Sequence, residues 1–102
     1  MADDESQSEL SAVRPFTWSD DDAVDFEVAL DTISRVLAAC SARYWAERRK
    51  LEPNPVVVER WRAEQIGCAR ASQALRADDQ EAVAAVTARY RQRLRELASG
   101  EE

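Results

Sequence analysis

Glu52-Pro53-Asn54-Pro55 is the only Pro-rich break in this chain, and Cys40 and Cys68 lie fourteen residues to either side of its Asn54. Folding the chain back at that break as an antiparallel helical hairpin brings the two thiols level. The same reversal sets Tyr44 and Trp45 near Trp61, and Ile33 and Leu37 near Leu75 and Ala71. Packing therefore accounts for the symmetry before any chemistry is invoked.

Upstream of the break, apolar positions recur as Phe26, Leu30, Ile33, Leu37, Cys40 and Tyr44, continuing through Glu47 to Leu51. Spacings that alternate 4 and 3 are the seam of one helix packed along another. With no Gly or Pro inside, residues 19–51 are expected to form one helix, its core 20–50 roughly 45 Å long at about 1.5 Å per residue. Ser19 with Asp22, or Thr17 with Asp20, supplies its N-cap. Pro53 and Pro55 stop that helix, while Asn54 followed by Pro55 is a good N-cap and first-turn pair for the next.

The second helix is expected over 55–76, with a seam of Val57/Val58, Trp61, Gln65, Cys68, Ser72 and Leu75. Gly67 inside it costs roughly 1 kcal/mol relative to Ala, which suggests close approach of another backbone. The interval from Leu75 to Val83 is eight, so the apolar stripe slips by about 100° there. Asp78 as N-cap with Glu81 three positions on places a turn near 77–78 and a third helix over 79–98, with 99–102 as a frayed tail; with neither Gly nor Pro to enforce the turn, a single bent helix over 55–98 is the alternative. The fold class is all-α: a long antiparallel helical hairpin plus a third helix, coiled-coil-like in its packing. Trp61 is read as core and Trp45 as lying at its edge.

The 102 residues leave room for one domain. The net charge of −6 is unevenly spread. Residues 1–31 hold ten acids against Arg14 alone, a net of −9, whereas residues 32–102 carry +3. Residues 1–18 read as an acidic, loosely attached arm carrying Phe16 and Trp18. No signal peptide or membrane span is visible, which makes a cytoplasmic location the expectation. Thirteen Arg to one Lys reads as the bias of a GC-rich bacterial genome.

Few residues suggest chemistry. The chain has no His and no Cys-x-x-Cys, so Cys40 and Cys68 are read as a packed core pair in preference to a metal site or a disulfide. Asp21-Asp22-Ala23-Val24-Asp25 spells the Asp-Asp-x-x-Asp pattern that holds Mg²⁺–diphosphate in prenyl-transfer enzymes, but acids at a helix start complement its macrodipole without a metal. Leu30-Asp31-Thr32-Ile33, with Leu37, Cys40 and Arg43, superficially resembles the first helix of the small three-helix chorismate mutases, where an Arg near the helix end grips a substrate carboxylate. Past the loop this chain has no counterpart of that class's Lys, Arg-Glu pair or final-helix Gln. Small secreted helical hairpin proteins of Gram-positive bacteria carry Trp-x-Gly at the turn, and Leu51-Glu52-Pro53-Asn54-Pro55 departs from that too.

The expectation is a non-enzymatic protein–protein interaction module without cofactor or metal. It would act through a coiled-coil face, through the arm (Phe16, Trp18, Asp20, Asp21, Asp22, Asp25), or through both, with a homodimer along the long helix as a further expectation. Two alternatives stand beside it: an accessory subunit of a nucleic-acid complex with Arg89 and Arg93 as phosphate contacts, or an acidic, antitoxin-like inhibitor occupying a basic site. The pI near 4.7 argues against nucleic acid.

Overall fold

The computed structural model describes residues 20–100. Three helices fill them: α1 (Asp20–Arg48), α2 (Pro55–Ala74) and α3 (Gln80–Ala98), and no strand occurs among the described residues. The protein is a helical bundle. α2 runs antiparallel to α1, as the Gln65–Ser41 and Arg62–Tyr44 hydrogen bonds require. α3 runs parallel to α1, with Arg43 near the end of α1 reaching the Leu97 carbonyl near the end of α3. Both shorter helices pack on α1 but not on each other: between α2 and α3 no Cα pair comes within 8 Å.

That arrangement explains a difference from the expected seam. α1 buries Ala29, Thr32, Ile33, Val36, Cys40, Tyr44 and Glu47, with Leu30 and Leu37 only half-buried. A helix touching two partners buries a wider stripe than one touching a single partner, so Ala29 and Val36 join it. α2 and α3 each lie along one helix only, meeting each other through long side chains such as Arg93 and Glu64, and each presents a heptad row: Trp61 and Cys68 on α2, Val83, Tyr90 and Leu97 on α3.

The ends of the helices show where local chemistry overrides the seam. α1 stops at Arg48, and Leu51, expected on the seam, is fully exposed. Glu47 takes over the inward position instead. Its carboxylate accepts from Lys50 Nζ at 2.8 Å and from the Asn54 backbone N–H at 2.9 Å, tying the reversal together. Asn54 then caps α2 by accepting from Val56 N at 2.9 Å, with Pro55 in the first turn. α2 ends at Ala74, with Leu75 in extended conformation. The cap of α3 is Asp79, which accepts from Ala82 N, and not Asp78, whose carboxylate is held by Arg76 at 2.9 and 3.0 Å. Gly67 corrects another expectation: it is exposed, and a Cβ added there would meet nothing within 4 Å.

Lys50, then Asn54, hold the Glu47 carboxyl below its ordinary 4.5. A group with a lowered folded value contributes stability above the unfolded value and loses it as pH falls through the folded one. Glu47→Gln should therefore be less stable than the parent near neutral pH, with the gap narrowing as the pH is taken below the ordinary 4.5. Urea unfolding at neutral and at acid pH checks this, and a gap of equal size at both would contradict it.

Candidate functional site

The cysteine pair lies at the centre of the bundle. Cys40 and Cys68 are free thiols, 0% and 1% exposed. Burial, then the neighbouring Glu64, pushes the Cys40 thiol up to about 12, and burial raises Cys68 as well. Burial thus favours the protonated form of both thiols, the form in which a cysteine packs as a small apolar side chain. Among the described residues no group of three or more His, Cys, Asp or Glu is placed to hold a metal ion.

Above the thiols, the gap between α2 and α3 forms a cleft of about 600 Å³, bordered by Ala63 and Gly67 on one side and Arg89, Tyr90 and Gln92 on the other. Arg93 crosses it: its guanidinium donates two hydrogen bonds to Glu64, one at 2.8 Å, and a third to Glu96 at 3.1 Å. These carboxylates raise the Arg93 pKa, Glu64 foremost. Arg93 and Arg89 thus share the cleft, but Arg93 is neutralised by two acids while Arg89 lies exposed over the Tyr90 ring at 5.6 Å. Arg95 is bound to Gln92, and Arg91 borders a separate hollow with Asp25. The alternating arginines therefore divide between two sides of α3.

The acidic segment opens α1. Asp21 and Asp25 are exposed and Asp22 is half-buried, while Asp20 is the first residue of the helix. Phe16 and Trp18, the aromatic part of the expected contact, lie outside the described residues.

Two features of α1 escape a reading based on seams. Near its end, the Tyr44 hydroxyl accepts from Arg48 at 2.9 Å and from Arg62 at 2.8 Å, and Trp45 meets the Tyr44 ring edge-on at 5.1 Å. On its outward side, Val24, Asp31, Ala38 and Trp45 recur every seven residues, as do Arg35, Ala42 and Arg49, and all are exposed. The signal for this second stripe is in the sequence, but the stronger apolar seam on the opposite side masks it. Between Arg35 and Glu47 this outward face carries no charge, because Arg43 turns inward to Leu97. Val24 and Trp45 are 56% and 52% exposed.

Comparison with protein-family models, with curated proteins and with solved structures finds no match to this chain. No described helix is long and apolar enough to cross a membrane.

Proposed function

We propose that this protein is a non-enzymatic interaction module that engages another protein chain through the outward face of α1. The observation that carries the reading is the uncharged exposed run on that face, from Ala38 through Ala42 to Trp45, in a chain with 33% charged residues. A helix face meant only for water is ordinarily covered with charge, and an exposed apolar strip rimmed by charge marks a contact surface. Small Ala side chains let a partner helix come close, and a half-exposed Trp offers a large rigid anchor.

Ala42→Arg tests the reading, because Ala42 is exposed and the substitution leaves the core untouched. In vivo photo-cross-linking followed by affinity capture should show every complex of the parent weakened at least roughly tenfold, with thermal unfolding unchanged. Complexes retained in full by Ala42→Arg would overturn the proposal.

A further inference from the structure

We infer that the chain seated on the outward face of α1 is a second copy of this protein, with the two α1 helices antiparallel. This rests on the interaction-face reading and adds the identity and direction of the occupant.

Charge sets the direction. Residues 20–31 of α1 carry Asp20, Asp21, Asp22, Asp25, Glu27 and Asp31 and no base. At and just past the far end come Arg48, Arg49 and Lys50; Glu47 is turned inward and pairs with Lys50, which leaves Arg48 and Arg49 as the exposed cations beside the axis of α1, with Glu52 farther on in the turn. Parallel pairing of two copies would stack acid on acid and base on base. Antiparallel pairing sets each acidic end beside the other copy's basic end, and like charges in register across an interface are costly where opposite charges are favourable.

The apolar positions agree with the same symmetry. Val24 and Trp45 end the heptad row at equal distances from a midpoint between Ser34 and Arg35. A two-fold axis at that midpoint sets Val24 of one copy level with Trp45 of the other, twice, as an isologous contact requires. Asp31 then lies level with Ala38, and Asp20 and Asp21 with Arg49 and Arg48. The small side chains at Ser34, Ala38 and Ala42 leave room for the two backbones to approach. Arg35 lies next to the axis and is already paired with Asp31 of its own helix at 2.8 Å, which limits repulsion between the two copies of Arg35.

Sedimentation equilibrium of the purified full chain should give twice the 11.5 kDa chain mass at about 100 μM. Trp45→Ala should raise the dissociation constant at least roughly tenfold while leaving helix content unchanged. Direction is read by oxidation of single-cysteine additions, since the native thiols are buried. Ser34→Cys, beside the axis, should form an intermolecular disulfide, and Ala46→Cys, far from it, should not. Equal cross-linking at both positions would mean parallel helices, and a dimer insensitive to Trp45→Ala would form elsewhere; either result overturns the inference. A parent chain that stays monomeric overturns the second-copy occupant alone. The interaction-face reading then stands or falls on whether Ala42→Arg loses its cellular complexes.

Discussion

Trp61→Ala is expected to cost about 3–5 kcal/mol, the usual penalty for emptying a buried aromatic site. The described domain has 81 residues, so its whole stability is roughly 4–12 kcal/mol at 0.05–0.15 kcal/mol per residue. The variant should therefore lose from about a quarter to the whole of the domain's stability. Two things make the site sensitive. Trp61 is 2% exposed, and on α2 only Cys68 is buried with it, so its loss leaves Cys68 and the partly buried Val57, Val58 and Ala71 to hold α2 on α1. The indole also joins all three helices: Arg43 of α1 lies 5.7 Å from its ring centre, Arg93 of α3 5.8 Å, and Arg60 of α2 itself 4.9 Å. Removing the ring takes the aromatic face from three guanidinium groups. Trp61→Phe keeps a ring there and should cost clearly less. Urea unfolding followed by circular dichroism measures both, and a midpoint for Trp61→Ala within error of the parent would contradict the account.

The hairpin is legible in the sequence because proline acts locally and without regard to context. Pro53 and Pro55 cannot continue a helix wherever the rest of the chain lies, and equal spacing of Cys40 and Cys68 then fixes the level of the two partners. The break before α3 is only suggested, because the eight-residue step from Leu75 to Val83 shifts the stripe without a Gly or Pro to end the helix, and a single bent helix reads equally well until Leu75 is seen in extended conformation. What stays hidden depends on groups that meet only after folding. Glu47 reads as a defect in an apolar seam until the Asn54 N–H comes within 2.9 Å of it. Asp78 reads as the cap of α3 until Arg76 claims it, and Asp79 caps instead. Gly67 suggests a close neighbour, but α2 and α3 diverge above α1 and leave it facing an open cleft. The candidate surface is half legible. Its charge division can be counted along the chain, whereas the outward turn of Ala38, Ala42 and Trp45 follows from α1 packing against two helices at once.

Stability should also fall steeply between about pH 9 and about pH 12, as the buried thiols are forced to ionise. Burial, then Glu64, raises Cys40 from 9.0 to about 12, with Cys68 contributing and the Arg93 cation opposing in part. Cys68 is raised mainly by burial, and so is Tyr90. Each of these groups is neutral when protonated, so its folded form holds the proton more tightly than the unfolded one. The contribution of the two thiols is then complete below the unfolded value near 9.0, and that of Tyr90 below 10.0, and each is lost as pH climbs through the folded value. Raising the thiol from 9.0 to about 12 amounts to about 4 kcal/mol for Cys40 alone, to order of magnitude. That is comparable with the loss expected for Trp61→Ala. Cys40→Ala separates this effect from general alkaline weakening. It should be less stable than the parent near neutral pH, because it opens a small void beside Cys68, yet lose less stability on going to about pH 11, so that the two curves converge. A thiol reagent supplies an independent reading: at about pH 8 both cysteines should react no faster than the protein opens, since neither offers an accessible thiolate while folded. Rapid labelling of the folded chain, or parallel pH profiles for the parent and Cys40→Ala, would show that the thiols titrate freely and that the bundle does not hold their protons.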